Sequence, residues 1–408
     1  MKVDFPSGFF TSNRRKLRDF YNDKFPIVIS ANGLLQKGTD SSYPFHQDAN
    51  FWYLTGINDS GILLVINGTK EFLILPKRSG YQDTFEGIIN KKSLTKISGI
   101  NNILSFEDGW KELDKLISSN KKIATVNPFD DYVEFYGMYT NPARRQLIKT
   151  IKAVNKKIVI EDIGADIAGL RVIKQPIELK AISAAIDVTS QAIEAVKSTL
   201  GKLPHEYSVE SVVTAHFISN NVTNAWRPIV ASGHNACTLH YDNNTSPLTK
   251  SDLVVVDIGA EVSHYAADIT RTLIIGTKPS ARQRAVHQAV LDVQNYAIGL
   301  QKPGSTIIDN EKKIRKYMAT KLIELGLIKR ATASAVNKYY PHSTSHFLGL
   351  EPHDVGNYKR PLEAGVVLTV EPGIYIAEEN IGVRIEDDVL ITATGCKVLS
   401  ASLSRDLL

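Results

Sequence analysis

Cysteine is almost absent from this chain: Cys237 and Cys396 are the only two in 408 residues. A disulfide framework is therefore excluded as the organising device, and a reducing compartment, the cytoplasm, is the expected home. Long apolar runs are missing too. No stretch approaches the ~18 residues a membrane span needs, and the opening MKVDFPSGFFTSNRRKLRDFY lacks the apolar centre of a signal peptide. No membrane partner is expected. Nor is charge of one sign massed anywhere. The 48 basic residues stand against 43 acidic ones, net +5, and the lysine pairs at 91–92, 121–122 and 156–157 lie far apart. A nucleic-acid surface wants a clustered basic stripe with interleaved aromatics, so that partner is set aside. No low-complexity tract or short-period repeat is visible.

What is present is length and alternation. A chain of 408 residues exceeds one ordinary core and predicts two domains. In the first half, short apolar runs (FPIVIS, GILLVING, EFLILP, KIATV) alternate with helical patterns such as NRRKLRDFYN and WKELDKLISS. That texture predicts an α/β domain over residues 1–165. Near 160–172 it changes. Pro176 suits a first helical turn, and the apolar spacing behind it predicts an amphipathic helix to about Leu200. Further helical patterns run over 281–299 and 308–325, among strand-like runs such as DLVVVDIGAEV, GVVLTVEPGIYI and IGVRIEDDVLIT. Residues 166–408 are therefore expected to form an α+β domain with a largely antiparallel sheet.

The run VVVDIGAEVSHYAADITRT reads as a hairpin turning near Val262 and Ser263, which would set Asp257 opposite Asp268. Opposed side chains in an antiparallel pair have Cβ atoms about 4.5–5.5 Å apart, a range at which two bare carboxylates repel. Two more acids interrupt apolar runs of the same domain. Glu371 ends VVLTVEPG, and Glu386 lies in IGVRIEDDVLIT, with Arg384 two residues before it on the same strand face. One buried acid is ordinarily a satisfied structural residue; four together want a cation. HSTSHFLGLEPHDVG supplies nitrogen. His342 and His346 are four apart, but the Glu of H-E-x-x-H is missing, and Gly349 and Pro352 argue against a helix through His353. One His with four carboxylates makes an oxygen-rich site for two divalent ions, Mn²⁺ more readily than a lone structural Zn²⁺. Two such ions sharing a hydroxide are the two-metal route to hydrolysis.

In this order the residues resemble the aminopeptidase P (Xaa-Pro aminopeptidase) branch of the pita-bread metallopeptidases. FHQDANFWYLTGI, RVIKQPIELKAI, SGHNACTLHY, DIGAEVSHYAADITRT, HSTSHFLGLEPHDVG, VEPGIYI and GVRIEDD carry the likeness over nearly the whole chain. The resemblance implies a creatinase-like amino domain and a pita-bread catalytic domain with a curved sheet. It implies that Asp257, Asp268, His346, Glu371 and Glu386 hold two divalent ions, with Mn²⁺ preferred and Zn²⁺, Co²⁺ or Fe²⁺ as alternatives. Asp268 and Glu386 would bridge them, and Glu371 would handle the proton of the bridging hydroxide, the nucleophile. His240 and His353 would bind substrate and stabilise the developing oxyanion; His342, Tyr375 and Arg384 would line or order the proline pocket, Arg384 also being counted with the catalytic set. The implied substrate is a peptide with proline second, and the implied assembly a homo-oligomer, dimer or tetramer.

The sequence departs from the family in two places. Asn50 stands where Asp is frequent, and DTFEG at 83–87 lacks the tryptophan of the segment that reaches a neighbouring subunit. Three other readings compete with this one. A prolidase, cleaving only Xaa-Pro dipeptides, would use the same five ligands. A non-enzymatic pita-bread binding protein, or a metal-free creatinase-like hydrolase, would lose acids that are retained here. Arg384 alone reads equally as a balance for buried acids, and Tyr375 as core packing. Cys237 reads as buried filler rather than a nucleophile. His46 and the Phe51-Trp52-Tyr53 cluster are expected to pack between domains or subunits.

Overall fold

In a computed structural model describing residues 2–129, 136–276 and 278–407, the apolar runs of the first half become one six-stranded sheet. Its strands are β1 (Ile27–Ser30), β2 (Leu63–Asn67), β3 (Lys70–Ile74), β4 (Ile103–Leu104), β5 (Lys122–Thr125) and β6 (Val159–Asp162), in the order β4-β3-β2-β1-β5-β6. It is mixed: β1 and β3 each pair antiparallel with β2, while β4, β5 and β6 join in parallel. The predicted helices form as Ser7–Tyr21 and Phe106–Ser119, the second capped where Ser105 accepts from the Asp108 N–H. Leu113 and Ile117 of that helix pack on Val65, Phe72 and Ile123 of the sheet. Phe51, Trp52 and Tyr53 form the middle of a short buried helix. They lie buried in helix Ala49–Thr55, where Trp52 meets Phe10 edge-on and the Tyr53 hydroxyl donates to the Leu170 carbonyl. Three consecutive large apolar residues fit no one-sided surface helix, and this one is buried along its whole length.

The chain divides into two compact units, Phe5–Arg171 and Val172–Leu408, the latter joined by Met1–Asp4. Helix Gly164–Val172 spans the 165/166 boundary read from the sequence. The second unit opens with helix Pro176–Thr199, where Pro176 takes the first turn and the Gln175 N–H donates to Glu178 Oε2. Its strands are β7 (Thr223–Asn224), β8 (Ile229–Ser232), β9 (Leu253–Ile258), β10 (Ala260–Val262), β11 (Tyr265–Ala266), β12 (Ile269–Ile274), β13 (Val367–Val370), β14 (Gly373–Ile376), β15 (Ile381–Arg384), β16 (Asp387–Ile391) and β17 (Cys396–Val398). Every pairing among them is antiparallel. Helices Ala281–Leu300 and Ile307–Glu324 bury Val290, Val293, Ile314 and Met318 in one apolar core with residues of β13, β15 and β16. Among the described residues no helix is long and apolar enough to cross a membrane.

Two hairpins of this unit are interrupted, and each carries two acids in or beside its interruption. In the first, β9 pairs with β12 and β10 with β11, around a turn at Ser263 and His264, both with positive φ (50° and 68°). The turn falls one residue later than the sequence suggests. Asp257 therefore faces Thr270, and Asp268, just before β12, falls across from Gly259. Two-residue turns with both φ positive ordinarily recruit Asn-Gly, which is why Ser-His gave no signal. The acids still share a face, as diagonal neighbours. Gly259 is required there, because a Cβ would stand 2.0 Å from the Ala267 carbonyl oxygen and 2.5 Å from the Trp226 ring. Gly259→Ala should cost about 1–3 kcal/mol by overpacking. A thermal transition unchanged from wild type would show that the hairpin has room.

In the second hairpin, β13 pairs with β16 and β14 with β15. Across the gap the register sets Glu371 opposite Glu386, with Pro372 breaking the ladder beside Glu371. The Glu386 N–H donates to the Thr270 carbonyl at 3.0 Å, docking this interruption on the first.

Candidate metal centre

Docking the two interruptions brings four carboxylates together in the second unit. Histidine joins them from an extended segment. The Thr369 N–H donates to the His346 carbonyl and the Glu371 N–H to that of Thr344, so residues 344–346 run beside β13 and deliver His346 to Glu371. No helix passes through 342–354. His346 Nε2 lies 3.5 Å from Asp268 Oδ2 and 3.5 Å from Glu371 Oε1. Its Nδ1 lies 3.1 Å from the Phe347 carbonyl, which assigns the proton to Nδ1 and leaves Nε2 as a free lone pair facing the acids. Asp268, His346 and Glu386, all buried, each offer a ligand atom within 4.8 Å of the others.

Electrostatics describe a cluster in need of positive charge. Burial pushes the Asp268 and Glu386 carboxyls well above their ordinary range; Asp257 and Glu371 push both further, and Asp268 adds to the rise of Glu386, whereas a hydrogen bond with Glu386 opposes the rise of Asp268. Glu371 rises to about 7, mainly by burial, with His346 and Arg384 opposing the rise. Arg384 answers part of the charge: its guanidinium donates to Asp257 Oδ2 at 2.6 Å. Yet Asp257 Oδ1 is buried with no hydrogen-bond partner among the described residues. A partnerless buried carboxylate oxygen, three ligand atoms within 4.8 Å and a histidine lone pair fit divalent cations.

The remaining predicted residues surround this centre. The His353 ring stacks on His346, centroids 3.8 Å apart and planes 10° apart, and is itself exposed. The stacked face is shielded from solvent, and this, with His346 and His240 nearby, lowers the ring's pKa to about 4, so it is neutral near pH 7. His342 Nε2 lies 2.8 Å from the Tyr375 hydroxyl, which accepts from Arg384 at 3.1 Å. Tyr375 is thus a polar bridge rather than core filling. Burial and Arg384 bring His342 to about 3. His240 is exposed, close enough for its charge to lower both His342 and His353. Cys237 donates to the Ile381 carbonyl, and burial raises its thiol to about 11, too high for a thiolate nucleophile.

Two residues of the site carried no sequence signal. The Thr270 hydroxyl donates to Glu386 Oε2 at 2.7 Å and lies 3.3 Å from Arg384 Nε, joining both hairpins. Asp388 accepts the Asp268 N–H at 3.1 Å and so fixes the backbone of that acid. A threonine in a strand and the last acid of EDD are ordinary surface residues on paper; only the docked hairpins bury them.

Comparison with known proteins accords with this geometry. Residues 180–393 match the model of metallopeptidase family M24, and residues 10–125 that of the aminopeptidase P N-terminal domain. A Haemophilus influenzae Xaa-Pro aminopeptidase is 32% identical over 91% of this chain and 89% of its own length. The Escherichia coli K12 Xaa-Pro aminopeptidase is 29% identical over 97% and 95%. The low-pH structure of E. coli aminopeptidase P superposes with a TM-score of 0.89 at 27% identity, covering 99% of this chain and 97% of that one. With the M24 model spanning over half of its length, the chain belongs to metallopeptidase family M24, in the aminopeptidase P group, and is a hydrolase.

Proposed function

We propose that this protein removes the first residue from peptides whose second residue is proline, using two divalent ions held by Asp257, Asp268, His346, Glu371 and Glu386. The observation that carries the reading is the convergence of two interrupted hairpins, each contributing two acids, three of them buried and Glu371 half-buried, on the free lone pair of His346. When bound, the ions supply a hydroxide nucleophile and polarise the scissile carbonyl, Mn²⁺ being the best match to four oxygens and one imidazole.

The chain's own groups complete the chemistry. Glu371, beside His346, takes the proton of the attacking water and passes it to the leaving proline nitrogen. His353, stacked on His346 and exposed at its edge, donates to the oxygen on which negative charge develops. His342, Tyr375 and Arg384 form one hydrogen-bonded wall that Asp257 anchors. That wall and His240 are assigned to the proline ring. A proline nitrogen carries no hydrogen, so its amide is tertiary and its ring demands a shaped pocket.

The test uses purified protein with Mn²⁺ on matched Xaa-Pro-Yaa and Xaa-Ala-Yaa tripeptides and an Xaa-Pro dipeptide. The Pro tripeptide should be cut and the Ala tripeptide poorly. Equal cleavage of the two would remove the proline assignment; cleavage of the dipeptide alone would make the protein a prolidase. His353→Ala should lower kcat by about 10²–10³ with a smaller change in KM, the signature of a donor that strengthens in the transition state.

A further inference from the structure

We infer that Glu206, far from the acids in sequence and outside the metal centre, is the positioning residue for the loop that carries His240. Glu206 opens helix Glu206–Ser219 and is fully buried, yet no cation faces it among the described residues. Five donors satisfy it instead, all from residues 232–246. Oε1 accepts the Ser232 N–H at 2.8 Å, the Ser232 hydroxyl at 2.7 Å and the Asn235 amide at 3.0 Å. Oε2 accepts the Tyr241 hydroxyl at 2.8 Å and the Ser246 N–H at 2.9 Å. One turn on, Glu210 takes the amide of Asn244 at 2.8 Å. A buried carboxylate costs much unless its lone pairs are filled, and this one is filled wholly by one loop.

The loop is held on its other side by a backbone contact. A Cβ at Gly382 would stand 2.3 Å from the Ala236 carbonyl oxygen, so residues 233–237 lie directly on β15, at the register partner of Tyr375. The loop cannot move toward the strand that carries Arg384; it can only relax away, and Glu206 opposes that. His240 itself makes no hydrogen bond among the described residues and is exposed, so the backbone around it sets its place. Its neighbour Tyr241 is tied to Glu206. The chain of placement runs from Glu206 through Ser232, Asn235, Tyr241 and Ser246 to His240. This inference rests on the assignment of His240 to the substrate, made above.

Glu206→Gln is a sharp probe because each oxygen of Glu206 accepts one backbone N–H, from Ser232 and from Ser246. Hydroxyls can turn to accept from an amide NH₂; a backbone N–H cannot. Whichever way the Gln amide is flipped, one backbone donor loses its acceptor. Three measurements on the Mn²⁺-loaded full chain test the idea. Amide hydrogen exchange should rise in 232–246 and stay as in wild type in 253–274 and 366–391. Metal content should be unchanged. The kcat/KM for a Pro tripeptide should fall about tenfold, the scale of one buried charge-assisted hydrogen bond, and the same change made on His240→Ala should cost less than about twofold. Unaltered exchange in 232–246, loss of metal, or losses that multiply in the double variant would each overturn the positioning role. A loosened loop beside a fully active His240→Ala would instead uphold Glu206 as the holder of the loop and remove His240 from the substrate site.

Discussion

Exhaustive chelation of the purified protein should abolish peptide hydrolysis and lower its thermal transition together, and Mn²⁺ should restore both better than Mg²⁺. Asp268 and Glu386 are buried and Glu371 half-buried beside Asp257; loss of solvent raises the pKa of all three, and the charge of Asp257 raises each further. With cations removed, these acids either hold protons or repel. Each folded value lies above its unfolded one, so the ion-free folded chain keeps protons that the unfolded chain releases. The stability gained this way is fully present below the unfolded carboxylate range near pH 4 and drains away as pH rises through about 7, where Glu371 ionises. The chelated protein should therefore melt higher at pH 5 than at pH 7.5. Added Mn²⁺ should raise the transition most at pH 7.5, because binding displaces those protons. The preference for Mn²⁺ follows from the His346 nitrogen, a poorer ligand for Mg²⁺. Full turnover in a preparation that elemental analysis finds free of divalent metal would defeat the two-metal reading.

The acids were legible in the sequence because each breaks an apolar strand pattern, and a polar residue at a core position has to be accounted for. Helices such as Pro176–Thr199 and Ala281–Leu300 were legible from period and from the residues at their starts. The exact facing of Asp257 was not. Hairpin register depends on the turn, and Ser263 with His264 adopts positive φ without the glycine or asparagine that usually marks it. Thr270 and Glu206 were invisible for a different reason. Glu206 in HEYSVE reads as an acid placed at a helix N-terminus, a favourable and common placement. Its five donors lie 26 to 40 residues away, and a fold is needed to bring them in. The grouping of His240, His342 and His353 came from family resemblance, since no local pattern links residues a hundred positions apart.

Asp268→Asn should remove metal and activity together, whereas His342→Asn should keep metal near the wild-type level. The Asp268 carboxylate lies 3.5 Å from His346 Nε2 and belongs to the group of three ligand atoms drawn within 4.8 Å. Asparagine keeps its shape and leaves the backbone N–H on Asp388, so the hairpin should persist. What is lost is one charge and one acceptor oxygen at the point shared by both ions in the proposed centre. Changes to outer partners of a metal typically cost about 10–100-fold in affinity or activity, and loss of a bridging ligand should exceed that. His342 differs in kind: its Nε2 is engaged with the Tyr375 hydroxyl, and its Nδ1 is 3.9 Å from Glu371. A second readout separates a ligand from a merely buried acid. In the chelated state Asp268→Asn removes one member of a repelling cluster, so at pH 7.5 it should melt higher than chelated wild type, while with Mn²⁺ the order reverses. Equal metal occupancy in Asp268→Asn and wild type, or the same order of melting with and without Mn²⁺, would contradict the assignment of Asp268.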